Sequence, residues 1–129
     1  MNTFIRNVTL VVSDYDTAII FYTQKLGFSL LEDTPLSAGK RWVRVAPPGA
    51  QTALLLAKAD GPAQAAVIGQ QTGGRVSFFL QTDDFARDHG AMQAKGVTFR
   101  EAPRLEPYGT VAVFEDPFGN LWDLIEPAT

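Results

Sequence analysis

The feature that most constrains this sequence is an internal repeat, in which the two halves of the chain match at an offset of 70 residues. Asp14 aligns with Asp84, and Pro47 aligns with Pro117. A period of this length exceeds the units of about 20–50 residues that build solenoids and propellers, so it indicates a duplicated supersecondary module. Further identical or similar pairs are Leu10 and Leu80, Tyr15 and Phe85, Lys25 and Lys95, Gly39 and Gly109, Gly49 and Gly119, and Leu54 and Leu124.

Each half predicts the same order of elements: one strand, one helix and three further strands. Asp14 has the side chain of a helix N-cap, and helical spacing of apolar residues continues from it to Gly27, which suits a helix end. The predicted elements of the first half are strand 7–12, a helix after Asp14, and strands 28–31, 41–46 and 52–57. Those of the second half are strand 76–82, helix 85–95, and strands 97–100, 110–115 and 121–125.

We therefore expect an α+β fold made of two tandem βαβββ modules. With 129 residues, the chain has the length of one domain, residues 1–129. Module one covers residues 4–57, and module two covers residues 75–127. Residues 58–74, rich in Gly, Ala, Gln and Pro, form the connector between them.

The composition excludes several kinds of chemistry. The chain has no cysteine, which removes thiol nucleophiles, cysteine-ligated zinc, iron–sulfur clusters and disulfides, and which fits a reducing compartment. It has one histidine, so sites that need two or three imidazoles cannot form within one chain. We expect no cofactor.

Charge and hydropathy give expectations about location and partners. The longest apolar runs, at residues 8–12 and 53–57, are far shorter than the roughly 20 residues that span a bilayer. No signal peptide is recognisable, so we expect a cytoplasmic protein that does not bind membranes. The net charge is −3 and the basic residues are scattered, which argues against binding to nucleic acid.

Three motifs resemble the vicinal oxygen chelate superfamily, which includes glyoxalases, bleomycin-resistance proteins and extradiol dioxygenases. They are the segment from Asn7 to Asp14 (NVTLVVSD), Phe21-Tyr22 with Leu26-Gly27-Phe28, and Asp116-Pro-Phe-Gly-Asn120 followed by Leu-Trp-Asp-Leu. The resemblance covers nearly the whole chain. It implies that the two modules form a cupped, incomplete barrel with the helices outside and a small-molecule cavity within.

The resemblance also implies where metal ligands would lie, and this sequence departs from the pattern there. The four family positions correspond to Asn7, Ala53, Ser77 and Asp123, and the offset of 70 pairs them independently. Ala53 has no donor atom, and Asn7 and Ser77 offer only neutral oxygens. Asp123 is the single strong candidate ligand. Divalent transition metals prefer imidazole and carboxylate donors, so we expect no metal site.

Strand alternation predicts which residues line the cavity. It places Leu121, Asp123 and Ile125 on the inward face, with Asp123 as the main polar anchor for a ligand. The alternative is a partly solvated carboxylate paired with Asn7 or an arginine. The residues that we predict to bind a ligand are Asn7, Thr9, Ser77, Phe79, Gln81, Tyr108 and Asp123.

Several other residues can be interpreted either as functional or as purely structural. Tyr108, in a Pro-Tyr-Gly turn, either closes the mouth of the cavity or simply packs on its rim. His89 lies on the apolar stripe of its helix, which favours a core or boundary histidine over a catalytic one. Alternation puts Trp42 and Arg44 on one face of their strand and Arg41 on the other, so one arginine either reaches the cavity or stays in solvent.

The leading functional hypothesis is a protein that binds a small, partly apolar molecule without metal, similar to the bleomycin-resistance type that acts by sequestration. The alternative is a lyase or isomerase of the glyoxalase kind that uses a weakly held cation or Asp123 as general base. A third possibility is a scaffold with a vestigial cavity. The apolar side of residues 62–68 predicts a subunit contact, so we expect a homodimer.

Overall fold

The computed structural model describes residues 2–129, which divide into two compact units. Unit 1 comprises residues 2–68, and unit 2 comprises residues 69–129. Each unit contains one β-sheet and at least one helix, so the predicted α+β class is confirmed. The boundary between the units falls inside the stretch that the sequence assigns to a connector. None of the helices in residues 2–129 is long and apolar enough to span a membrane.

Unit 1 is a four-stranded sheet with a helix between its first two strands. Its elements are β1 (Asn7–Val12), α1 (Tyr15–Ile20) with a π-helical continuation (Phe21–Lys25), β2 (Ser29–Pro35), β3 (Arg41–Ala46), β4 (Ala53–Lys58) and the short α2 (Pro62–Ala65). The strand order is β1-β4-β3-β2, in which β1 and β4 run parallel and the other pairs are antiparallel.

The predicted start and end of the first helix are confirmed. Asp14 caps the helix, because its Oδ2 accepts hydrogen bonds from the Thr17 amide and hydroxyl at 2.8 Å each. Gly27 has a positive φ of 77° just beyond the last turn. The apolar residues Leu10 and Val12 of β1 are buried and Thr9 is exposed, as strand alternation predicts, although Val8, on the same side of the strand as Leu10, is exposed.

Unit 2 repeats the arrangement with one interruption. Its elements are β5 (Phe78–Gln81), α3 (Phe85–Ala94), β6 (Thr98–Phe99), β7 (Arg104–Glu106), β8 (Gly109–Glu115) and β9 (Leu121–Pro127). The strand order is β5-β9-β8-β6, with β7 also paired to β8. β5 and β9 are parallel, as β1 and β4 are in unit 1.

The strand that the sequence predicts after the helix of unit 2 is divided in the structure. The sequence predicts one strand over residues 97–100, but the structure has the two-residue β6 and then a separate strand, β7, which was not predicted. Both pair with β8, so together they take the place of β2 in unit 1. Pro103 lies between them and has no N–H to continue a ladder. β2 is longer than predicted and extends to Pro35.

Candidate functional site

The centre of the β9 strand in unit 2 carries the predicted anchor, Asp123. Asp123 pairs with Phe79 of β5 on one side and with Val113 of β8 on the other. Paired residues on adjacent strands direct their side chains to the same face of a sheet. We call this surface, comprising Phe79, Val113, Asp123 and Ile125, the Asp123 face. The opposite face holds Trp122 and Leu124, which are buried.

The Asp123 carboxylate is buried without full compensation. Its residue is 9% exposed, and within residues 2–129 its Oδ1 atom has no hydrogen-bond partner. Burial raises the pKa of this carboxyl above its ordinary value, the nearby Arg104 charge opposes the increase, and Glu101 adds to it. Buried polar atoms in proteins are normally bonded, so an exception of this kind calls for an explanation.

A charged cluster stands beside Asp123. The Arg104 guanidinium donates from Nε to Glu101 Oε1 at 2.9 Å and from Nη1 to Glu106 Oε1 at 2.8 Å. These bonds, together with one to the Tyr108 hydroxyl, raise the pKa of Arg104. Glu101 also accepts a hydrogen bond from the Val113 amide at 3.2 Å. Arg104 is therefore held by other partners, although its charge still acts on Asp123.

The equivalent face of unit 1 carries a cation instead. Arg44 is only 7% exposed, and its guanidinium donates from Nε to Asn7 Oδ1 at 2.8 Å and from Nη1 to Glu32 Oε1 at 2.7 Å. Thr9 pairs with Leu55 of β4, and Leu55 pairs with Arg44 of β3, so all three share this face. We call this surface, comprising Asn7, Thr9, Glu32 and Arg44, the Arg44 face.

The residues at the family's four metal positions do not fit a divalent cation. The Asn7 amide oxygen accepts from the Arg44 guanidinium, so a positive charge already occupies its coordination space. Ala53 is buried and has no donor. Ser77 Oγ lies 3.1 Å from Thr72 Oγ1. Asp123 alone remains, and residues 2–129 contain no group of three or more His, Asp or Glu side chains that could hold a metal.

The structure does not bring every predicted site residue to Asp123. Ser77 precedes β5, and its amide bonds to the Leu121 carbonyl at 2.8 Å. The residue opposite Asp123 in the register is Phe79, two positions after Ser77, and it is 66% exposed. Gln81 pairs with Ile125 on the same face and is exposed. In unit 1 the first and last strands pair Asn7 with Ala53, whereas in unit 2 they pair Phe79 with Asp123. The pairing in unit 2 is therefore shifted by two residues relative to that in unit 1.

Tyr108 and His89 have different surroundings. Tyr108 is exposed in the turn between β7 and β8. The half-buried His89 ring is stacked on Phe85 at 5.2 Å between centroids and contacts the Phe99 ring edge-on at 4.4 Å, which confirms the boundary histidine. Its Nε2 atom is buried and has no hydrogen-bond partner in the described chain.

Sequence reasoning missed two features of the site. It did not pair Arg44 with Asn7, although alternation on β1 and β3 puts both on one face. It also omitted Glu101 and Arg104, because the strand that contains Arg104 was not predicted. Arg104 is three residues after Glu101 and two residues before Glu106. This close spacing of opposite charges was the signal in the sequence for a charge cluster.

Comparison with known proteins identifies a family and several similar proteins. The family model described as the Glyoxalase/Bleomycin resistance protein/Dioxygenase superfamily matches residues 5–124. An uncharacterized protein of Shewanella frigidimarina (strain NCIMB 400) is 54% identical over 98% of this chain and 95% of its own length. The uncharacterized protein YurT of Bacillus subtilis (strain 168) is 34% identical over 92% of this chain and 94% of its own length.

Two solved structures resemble the fold over almost the full length. TnmS3, an antibiotic binding protein from Streptomyces sp. CB03234, is 35% identical with a TM-score of 0.81, and the match covers 98% of each chain. UcmS2 is 30% identical with a TM-score of 0.84, and the match covers 97% of this chain and 98% of that one.

Proposed function

We propose that this chain, which belongs to the Glyoxalase/Bleomycin resistance protein/Dioxygenase superfamily, binds a small, partly apolar molecule without a metal and acts by sequestration. The observation that carries the proposal is the Asp123 carboxylate, which is buried while its Oδ1 atom lacks a partner among residues 2–129. Leaving such an atom unsatisfied costs about 1–3 kcal/mol. A ligand that donates to it recovers that cost.

The surroundings of Asp123 define the ligand. Phe79 lies opposite Asp123 in the strand register and exposes most of its ring, which gives an apolar surface beside a hydrogen-bond acceptor. Val113 flanks the carboxylate on the other side. The complementary molecule has a flat apolar part to contact Phe79 and a hydroxyl or protonated nitrogen to contact Asp123. Thr9, Asn7, Ser77, Gln81 and Tyr108 remain proposed as secondary ligand contacts.

The relatives support a binding role. TnmS3, whose fold and length match this chain, is an antibiotic binding protein. At 35% identity over the full length, the likeness supports a similar class of ligand for this chain: a natural small molecule with antibiotic properties. Binding such a compound tightly would be sufficient for resistance, because sequestration requires no chemical step.

One observation favours a second candidate, an isomerase or lyase in which Asp123 acts as general base. Burial raises the pKa of the Asp123 carboxyl, which is the direction that makes a carboxylate a better proton acceptor near neutral pH. A version that uses a weakly held cation has no comparable support, because Arg44 occupies the Asn7 oxygen. Loss of turnover without loss of binding in an Asp123→Asn variant would favour the enzyme.

Calorimetric titration of the protein with a panel of antibiotics, including bleomycin, tests the binding role. We expect one-to-one binding of at least one compound, with or without a chelator. Asp123→Asn should weaken it by about tenfold or more, since a hydrogen bond to a charged group contributes about 1.5–3 kcal/mol. Asp83→Asn is the matched control, because Asp83 is an exposed carboxylate of the same unit. Equal affinity in both variants would refute the role of Asp123, and absence of any binding would favour a scaffold.

We also propose that the protein is a homodimer. Residues 62–67 around α2 are exposed, and Val67 is a large apolar side chain in this stretch. The N-terminal Phe4 and Ile5 are exposed as well, next to the edge strand β1. A native mass spectrum of gently purified protein checks this, because subunit number and any retained metal or small molecule all contribute to the mass. A monomer mass at micromolar concentration would contradict the dimer.

A further inference from the structure

The side of the unit 2 sheet that carries the Asp123 face continues across β8 onto β7, where it holds further charges. Arg104 of β7 pairs with Val111 of β8, and Val111 pairs with Ile125 of β9. Ile125 is two residues after Asp123, so Arg104 lies on the same side of the sheet as Asp123. Glu106, two residues after Arg104, lies on this side as well.

Glu101 precedes β7 and is tied to the same region by two hydrogen bonds. Its Oε1 atom accepts from Arg104 Nε at 2.9 Å and from the Val113 amide at 3.2 Å. Val113 pairs with Asp123, so Glu101 is held beside a strand neighbour of Asp123. Burial raises the pKa of the Asp123 carboxyl, Arg104 lowers it, and the Glu101 charge raises it further.

We call Glu101, Arg104 and Glu106 the Arg104 cluster. Arg104 donates to both glutamates, so its one positive charge is shared between two negative ones. Together with Asp123, the cluster has three carboxylates and one guanidinium, which leaves a net charge of −2 at neutral pH.

Other cations near this part of unit 2 do not compensate Asp123. Arg100 is bonded to Glu115 at 3.0 Å, and this pair adds no net charge. Arg75, which precedes β5, is exposed. Among residues 2–129, the charges that shift the pKa of Asp123 besides burial all belong to the Arg104 cluster. The excess of negative charge at Asp123 therefore remains for a ligand to offset.

A neutral donor and a cation would satisfy Asp123 to different degrees. A hydroxyl group supplies a hydrogen bond to Oδ1 but leaves the negative charge uncompensated. An ammonium group supplies the same bond and also offsets the charge. The side chains of the Arg104 cluster are only 31–39% exposed, so water screens this attraction less than at an open surface.

We propose that the Asp123 face selects an aromatic ammonium ion over a neutral molecule of the same shape, and that Glu101 contributes to this selectivity together with Asp123. The ring lies against the exposed Phe79, and the ammonium group donates to Asp123 Oδ1. This inference rests on the proposed function, because it concerns the same site, and it narrows the ligand from any hydrogen-bond donor to a cation.

The experiment compares benzylamine with benzyl alcohol. The two probes share a ring and a methylene group, and at neutral pH the first carries an ammonium group where the second carries a hydroxyl. Binding is followed through the backbone amide signals of β5 and β9 in ¹H–¹⁵N correlation spectra. We expect benzylamine to bind with a Kd in the millimolar range. Benzyl alcohol should bind about tenfold more weakly.

The ratio of the two Kd values is the readout for the variants, because a merely structural change would weaken both probes alike. Asp123→Asn should reduce the ratio from about ten to about one. Glu101→Gln keeps the acceptor for Arg104 and removes a charge, so the ratio should fall to about three. Asp83→Asn, an exposed carboxylate of the same unit, is the matched control and should keep the wild-type ratio. Phe79→Leu should weaken both probes and leave the ratio unchanged, since it removes a ring but no charge.

Four results would overturn the inference. Equal Kd values in the wild type, with both probes weakened in Asp123→Asn, would refute charge selection and leave the proposed binding role intact. A ratio that stays near ten in Asp123→Asn would mean that the cation is attracted by the net charge of the whole chain, −3, rather than by this face. An unchanged ratio in Glu101→Gln would refute the contribution of Glu101. Absence of any saturable shift with either probe would refute the ammonium site, whereas the antibiotic titration decides the proposed function separately.

Discussion

Unit 1 and unit 2 share an order of elements, but the buried charges of Arg44 in unit 1 and Asp123 in unit 2 differ in their hydrogen bonding. On the Arg44 face, a guanidinium is buried and bonded to Asn7 and Glu32. On the Asp123 face, a carboxylate is buried and its Oδ1 has no hydrogen-bond partner within residues 2–129. A satisfied buried charge contributes to stability, whereas an unsatisfied one costs stability and suits a ligand. The difference favours a structural role for the Arg44 guanidinium and a binding role for the Asp123 carboxylate.

The turns before the last strand of each unit also differ, because a buried carboxylate closes the turn in unit 2 only. In unit 2, Asp116 Oδ1 accepts from the Phe118 amide at 3.0 Å and the Asn120 amide at 2.8 Å, and its Oδ2 accepts from Asn120 Nδ2. In unit 1, the turn is closed by a backbone bond from Ala50 to Pro47 at 3.0 Å. Side chains therefore fix the approach to β9, the strand that carries Asp123.

Replacing Arg44 should have the largest effect on this contrast. Arg44→Met keeps an unbranched stem and removes both hydrogen bonds, leaving Asn7 and Glu32 without their shared partner. We expect the free energy of unfolding to fall by about 3 kcal/mol, because two hydrogen bonds from a charged donor are lost, each worth about 1.5–3 kcal/mol. The loss is not larger because Glu32 is partly exposed and still has Arg6 nearby. Urea denaturation followed by circular dichroism measures the loss.

Glu32→Gln is the matched control for Arg44→Met. It removes the charge but keeps an acceptor for Arg44, so the loss should be about 1 kcal/mol. If Arg44→Met cost no more than Glu32→Gln, the guanidinium would contribute little and the structural role of the Arg44 face would be wrong.

Gly39 and Gly109, which are equivalent in the repeat, should give the next largest difference in stability when they are replaced. A Cβ atom at Gly109 would lie 2.3 Å from the Glu126 carbonyl oxygen, whereas a Cβ at Gly39 would meet nothing within 4 Å. Both glycines have a positive φ, so both substitutions carry a conformational cost. We expect Gly109→Ala to destabilise the protein by about 2–3 kcal/mol and Gly39→Ala by about 1 kcal/mol. Equal losses in thermal unfolding would contradict the close packing of β8 on β9.

Much of the fold follows from the sequence, because local signals and the repeat agree. Asp14 and Asp84 begin helices through side-chain caps at Thr17 and Arg87, as the N-cap pattern predicts. The strands that carry the clearest alternation, β1 and β9, were predicted to start at the residues where they do start. The family and the α+β class were identified from the same residues.

The parts that could not be predicted depend on strand register and on tertiary contacts. The offset of 70 aligns Asn7 with Ser77, but the β5–β9 register places Phe79 opposite Asp123. β7 is three residues long, and Arg104 is held in it by Glu101 and Glu106 rather than by an apolar pattern. The bond from Arg44 to Asn7 joins residues 37 positions apart, and no local pattern specifies it.

The smallest expected effect concerns the pH dependence of stability. Burial raises the pKa of Asp123 in the folded protein above the ordinary value of 3.8, so the folded state takes up this proton at a higher pH than the unfolded chain. The stability associated with the protonated carboxyl is fully present below pH 3.8 and is lost as the pH rises through the folded-state pKa. At neutral pH the ionised group is therefore a net cost.

Asp123→Asn tests this directly, because it removes the charge and nearly preserves the shape. We expect the variant to be more stable than the wild type by about 1 kcal/mol at neutral pH, and equally stable in acid, where Asp123 is protonated in both states. Urea unfolding at several pH values measures the difference, with the exposed Asp83→Asn as control. A variant that is less stable at neutral pH would mean that the Asp123 carboxylate has a stabilising partner. The contrast between Asp123 and Arg44 would then disappear, because both buried groups would be satisfied.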